Sequence, residues 1–77
     1  SAPVRVRVPS GLHARPAAAL VGIARRYTAS LQLLREGREA NLRSVVSIMA
    51  LEVGEGDYVV VTGQGSDADA AVSAVVA

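Results

Sequence analysis

The spacing of the apolar residues switches repeatedly between two and three-to-four along this chain, and the switches come too close together for most folds. Val4, Val6 and Val8 alternate with Arg5 and Arg7, the pattern of a strand with one buried and one wet face. Pro9-Ser10-Gly11 breaks it. Ala17, Leu20, Val21, Ala24 and Tyr27 then recur at helical spacing and predict a helix over 16–27. Pro16 suits its first turn, where a missing N–H has no helical partner to lose, and Arg25 and Arg26 suit its last, where cations complement the helix dipole. Leu31, Leu33 and Leu34 predict a second strand, Glu36-Gly37 a tight turn, and residues 38–42 a third strand closing a hairpin. Ser44 reads as the N-cap of a short helix carrying Val45, Val46, Ile48, Met49 and Leu51. Gly54-Glu55-Gly56-Asp57 turns the chain into its strongest strand signal, Tyr58-Val59-Val60-Val61-Thr62, which the glycines at 63 and 65 are expected to end. Ser66-Asp67-Ala68-Asp69 is close to a capping box, and Ala68, Ala71, Val72, Val75 and Val76 follow as an apolar helical stripe.

The resulting order, βαββαβα, leaves no room for the crossovers of a doubly wound sheet. It argues for an α+β fold over 1–77 as one domain: an open-faced β-sandwich, with a four-stranded antiparallel sheet and three helices on one face. With no Phe or Trp and only two Tyr, the core must be built from Val, Leu, Ala and Ile, and Tyr27 and Tyr58 read as half-buried packing residues. No cysteine and one histidine exclude thiolate and His-cluster metal sites, Asp67 and Asp69 are too few for a cation, and no metal or cofactor is expected. The eight basic residues are scattered and the net charge is +1, which argues against nucleic-acid binding. Apolar runs are short and no signal peptide is visible, so a soluble cytoplasmic chain without membrane insertion is expected, as a monomer. The start at Ser1-Ala2-Pro3 without methionine and the uncapped end at Ala77 suggest processed ends or one module of a longer protein.

Chemistry concentrates in Gly11-Leu12-His13-Ala14-Arg15-Pro16-Ala17-Ala18. The single histidine lies just ahead of a helix whose first N–H groups lack intrahelical partners, a ready-made anion site. Arg15 adds guanidinium donors whose fork matches phosphate oxygens, and Gly11 lets the loop turn tightly beside the ring. A lone histidine is more often an exposed polar residue or a cap; the surrounding stretch is far more specific. Together with Asn41-Leu42-Arg43-Ser44 ahead of the second helix, the Gly-rich turn before the last strand and the element order, it resembles the HPr family, the histidine-containing phosphocarriers of the bacterial phosphoenolpyruvate-dependent sugar phosphotransferase system. The resemblance spans nearly the whole chain.

What it implies is a carrier, not an enzyme, that accepts a phosphoryl group from phosphorylated enzyme I and passes it to sugar-specific enzyme IIA domains. His13 matches the family's phosphoryl acceptor, Arg15 its phosphate contact, and the backbone amides of Ala14 and Arg15 its phosphate-binding donors. The resemblance further implies partner docking through Val45, Val46 and Met49, and in some bacteria regulatory phosphorylation by a serine kinase at the position of Ser44. It extends to modules of multiphosphoryl transfer proteins. The alternative is a regulatory module of the same fold that docks without carrying phosphate; loss of the histidine would mark such a protein, and His13 is present.

Overall fold

In the computed structural model, which describes residues 3–76, the elements follow the expected order: β1 (Val4–Arg7), α1 (Ala14–Ala24), β2 (Ser30–Arg35), β3 (Arg38–Asn41), α2 (Val45–Met49), β4 (Tyr58–Gln64) and α3 (Ala68–Val76). Ser1, Ala2 and Ala77, on which the reading of the chain ends rests, lie outside the described residues. The valine-rich β4 takes a central place, because it is the strand best able to fill both sides of a pleat. It pairs antiparallel with β1 and β2, and β2 pairs antiparallel with β3, giving the order β1-β4-β2-β3.

Register then decides which side chains share a face. Val4 pairs with Val61, Val61 with Leu33, and Leu33 with Ala40, a row across all four strands on the face that the helices cover. Leu31, Leu33, Val59 and Val61 are buried there against Ala17, Val21 and Ala24 of α1, Ile48 of α2, and Ala68, Ala71, Val72 and Val75 of α3. Full burial of a leucine such as Leu31 or Leu33 contributes about 1.5–3 kcal/mol. The alanines on α1 and α3 let helix backbones approach the sheet closely, which is how a chain without Phe or Trp closes its core. The opposite face is open, so the fold is an α+β open-faced sandwich.

Four expectations need correction. Helix α1 occupies Ala14–Ala24 in place of 16–27. Beyond it the chain continues in tighter turns, Arg26 N–H to the Ile23 carbonyl at 3.0 Å and Tyr27 N–H to that of Ala24 at 3.2 Å. These keep Tyr27 against the core, so the apolar rhythm outlasts the helix and Arg25 and Arg26 fall beyond its last turn. Strand β4 runs through Gly63 to Gln64. A Cβ on Gly63 would sit 2.9 Å from Leu31 Cδ2 and 3.1 Å from Val72 Cγ2, so this glycine marks a close approach of α3 to the sheet, not a break. Tyr58, expected to be half-buried, is 50% exposed: with Val59 and Val61 turned inward, strand alternation sends it outward, where the Arg5 guanidinium lies 3.9 Å from its ring centroid.

The fourth correction concerns the start of α3. Ser66 is exposed and its hydroxyl has no partner among the described residues. Asp67 instead reaches across to the loop after α1, accepting the N–H of Thr28 at 2.9 Å, that of Ala29 at 2.8 Å and the Thr28 hydroxyl at 3.2 Å. The Thr28 amide is the main cause that holds the Asp67 carboxyl below its ordinary value of 3.8, because a bonded carboxylate resists protonation. A carboxyl whose folded pKa is depressed stabilises the fold above its unfolded pKa and loses that contribution as pH falls through the folded one. The wild-type protein is therefore expected to lose stability below the ordinary carboxylate range, and Asp67→Ala to show a shallower acid dependence over that window in denaturant melts.

Candidate functional site

The strand β1 and the helix α1 are joined by a loop that leans on the turn preceding β4. Val8 N–H donates to the Asp57 carbonyl and Gly56 N–H to the Val8 carbonyl, both at 2.7 Å, and Leu12 N–H donates to the Val53 carbonyl at 3.0 Å. Gly11 is buried with φ +77°, and a Cβ there would meet the Val53 oxygen at 3.1 Å and the Gly54 carbonyl carbon at 3.3 Å. Only glycine accepts both that backbone conformation and that contact without strain.

His13 follows as the N-cap residue of α1, in extended conformation (φ −85°, ψ −176°), with its carbonyl receiving the first helical bond from Ala17 N–H at 3.0 Å. Its imidazole makes no capping bond and is exposed. The helix begins at Ala14, two residues before Pro16, because a proline ring meets no preceding carbonyl anywhere in the first turn. Ala14 and Arg15 thus occupy the first two helical positions, where no carbonyl lies four residues back inside the helix, and Pro16 has no N–H at all. The first-turn amides that face outward for an anion are those of Ala14 and Arg15. The Arg15 side chain is exposed and has no partner among the described residues. An unengaged imidazole, paired amides and an uncommitted guanidinium come together within one helical turn, an arrangement suited to holding a phosphoryl group on the ring.

Helix α2 starts at a tightly bonded corner. Ser44 Oγ accepts Ser47 N–H at 3.1 Å, Ser47 Oγ accepts Asn41 N–H at 3.0 Å, and Asn41 Oδ1 accepts Arg43 N–H at 2.9 Å. Arg43 Nη2 bonds the Tyr27 carbonyl, fastening this corner to the turns that follow α1. Ile48 is buried, which by helical geometry turns Val45, three residues back, inward and Val46 and Met49 outward. Val45 is accordingly half-buried against the core, while Val46 is 79% and Met49 43% exposed. The outward apolar face of α2 consists of Val46 and Met49, with α1 packed alongside.

Sequence reasoning passed over the residues that support the histidine loop. Asp57 Oδ2 accepts both Gly54 N–H at 2.8 Å and Arg35 Nη2 at 3.1 Å, and Arg35 Nη1 and Arg38 Nη2 reach the Leu51 carbonyl at 2.9 and 2.8 Å. A carboxylate inside a Gly-rich turn was the visible signal, but its partner lies 22 residues away in the chain. The contact at Gly11 generates a test: Gly11→Ala is expected to destabilise the protein by about 1–2 kcal/mol from the left-handed backbone alone, read as a lowered denaturation midpoint.

The model of the PTS HPr component phosphorylation site matches residues 1–77. The chain is 34% identical over 74 residues to the HPr-like protein Crh of Halalkalibacterium halodurans, covering 96% of this chain and 88% of that protein. It is 33% identical over 73 residues to the phosphocarrier protein HPr of Mycoplasma pneumoniae, covering 94% and 83%. The crystal structure of HPr-C-His from Thermoanaerobacter tengcongensis superposes with a TM-score of 0.92 at 31% identity, over 99% of this chain and 88% of that one.

Proposed function

Because the chain belongs to the HPr family of the phosphotransferase system, in which HPr is a phosphocarrier protein and not an enzyme, we propose that His13 is the residue on which this protein carries the phosphoryl group. The observation that supports the reading best is the N-cap position of His13, with its ring unengaged beside the amides of Ala14 and Arg15. On this reading phosphorylated enzyme I is the donor. A ring nitrogen of His13, Nδ1 by the family pattern, attacks phosphorus in line as the donor's bond to it breaks. The two amides and the Arg15 guanidinium then share the charge of the product. A few donors at an exposed site lower the cost of that charge without burying it. The phosphoryl group stays accessible to an incoming acceptor, a sugar-specific enzyme IIA domain.

Val46 and Met49 supply the apolar surface on which both partners dock, with Val45 supporting it from the core side. Ser44 is the position at which a serine kinase would act. Its hydroxyl already caps α2 by accepting Ser47 N–H, so a phosphate there would place about −1.5 to −2 charges beside Val46 and repel an acidic partner. The cytoplasm is the compartment where such partners meet. A second reading, a regulator that docks without carrying phosphate, draws on the relative named HPr-like protein Crh. The presence of His13 favours the carrier.

Incubation with enzyme I and phosphoenolpyruvate is expected to place acid-labile phosphate on the wild-type chain and none on His13→Ala; equal labelling of the two would exclude His13 as the acceptor. Met49→Asp is expected to lower kcat/KM for transfer about tenfold, equivalent to ~1.4 kcal/mol of docking energy. Its thermal midpoint should stay within about 2–4 °C of wild type, since exposed substitutions rarely shift stability by more than ~0.5 kcal/mol.

A further inference from the structure

We propose that Asp57, tied to Arg35, is a positioning residue for His13. The inference rests on the reading of His13 as phosphoryl carrier. The backbone of the loop that delivers the histidine is hydrogen-bonded to the body at two points, Val8 at its entry and Leu12 at its exit, both to residues 53–57, while the Val8 and Leu12 side chains pack against the core. Between them Pro9 and Ser10 are exposed, so the placement of His13 is inherited from the shape of that turn.

One side chain sets that shape. Asp57 N–H donates to the Gly54 carbonyl at 3.1 Å while Gly54 N–H donates back to Asp57 Oδ2 at 2.8 Å, closing the turn in both directions. The same Oδ2 receives Arg35 Nη2 at 3.1 Å from strand β2, and Arg35 Nη1 holds the Leu51 carbonyl at 2.9 Å. The turn is thereby referenced to the sheet on both sides of Val53, whose carbonyl receives Leu12 N–H immediately before His13. The Arg35 side chain is 19% exposed and that of Asp57 37%, so the pair is shielded on one partner and reachable on the other. Without the carboxylate, Gly54 N–H and Arg35 lose a shared acceptor, the turn relaxes, and the Val53 carbonyl no longer meets Leu12 in the same place. An offset at Leu12 passes directly into the N-cap residue and alters how a bound phosphoryl group meets the Ala14 and Arg15 amides. The end of α2 touches this linkage only at the Leu51 carbonyl, which Arg38 Nη2 also holds at 2.8 Å, so the docking face keeps its support when Asp57 is changed.

The distinguishing signature is a split between chemistry and docking. With the chain as acceptor, Asp57→Ala is expected to lower enzyme I's kcat about tenfold while leaving KM unchanged, since a misplacement of about 1 Å costs up to ~100-fold in rate. Hydrogen exchange at the Leu12 amide should accelerate by about the same factor as its bond to Val53 loosens. Asp57→Asn, whose side-chain oxygen still accepts from Gly54 and Arg35, should recover both quantities to within about threefold of wild type, because the acceptor and not the charge closes the turn. A folded Asp57→Ala protein with wild-type kcat and wild-type Leu12 protection would overturn the proposal, as would an Asp57→Asn protein as slow as Asp57→Ala. Should Asp57→Ala not fold, Arg35→Met, which keeps the aliphatic stem, carries the test: about threefold lower kcat at constant KM supports the positioning role, and unchanged kcat refutes it. A wild-type chain that takes no label from enzyme I would instead refute the role of His13, and Leu12 exchange, which needs no phosphate, would still decide on Asp57.

Discussion

Two backbones meet at Gly11, and the arrangement of the site depends on how closely they do so. With φ +77° and the Val53 carbonyl 3.1 Å from where a Cβ would stand, residue 11 lets the incoming loop lie directly on the turn before β4. That approach brings Leu12 N–H onto the Val53 oxygen at 3.0 Å. His13 is next in the chain, and its placement follows from a backbone hydrogen bond and not from any bond of its own ring. A carrier benefits from this division. On the proposed reading, an imidazole bonded at its acceptor nitrogen would have to give up that bond to take a phosphoryl group, whereas the His13 side chain makes no hydrogen bond among the described residues.

The helix start beside it owes its character to proline as much as to the free amides. Pro16 at the third helical position deletes one N–H that would otherwise face outward, so Ala14 and Arg15 supply the outward amides of the first helical turn. Neither end of the arrangement is buried. On the proposed reading, two exposed amides and an exposed guanidinium would hold a phosphoryl group's charge weakly, because water competes for the same donors. Weak holding is what a group in transit requires.

The core makes these placements rigid with unusually small side chains. Ala17, Ala24, Ala68 and Ala71 are at most 3% exposed, and Gly63 leaves room for Leu31 and Val72 to meet. Small residues bring α1 and α3 close to the sheet, which substitutes close approach for the bulk that Phe or Trp would supply. The carboxylates of Asp67 and Asp57 then fasten connecting segments that this thin core does not cover: Asp67 holds the loop after α1, and Asp57 holds the turn before β4.

Element order, fold class and the stretch around His13 were legible in the sequence because each rests on local spacing. Alternating Val4, Val6 and Val8 encode a strand, Ser44 encodes a cap, and the Glu36-Gly37 turn, with φ 47° and 78°, encodes the hairpin. Boundaries were less legible, since Tyr27 kept the helical rhythm after the helix had tightened, and Gly63 carried the look of a strand end while its role was set by Leu31 and Val72. Asp67 looked like one more helix-start residue beside a Ser66 cap; it bonds Thr28 and Ala29 because folding brings a chain segment some 38 to 39 residues away within reach. The sequence by itself therefore determined which segments are strands and helices and which turn holds the histidine, all properties of near neighbours along the chain. Tertiary structure alone decided that Val53 receives Leu12, that Arg35 meets Asp57, and that Val46 and Met49 face outward while Val45 turns in, because each depends on what packing places on the other side.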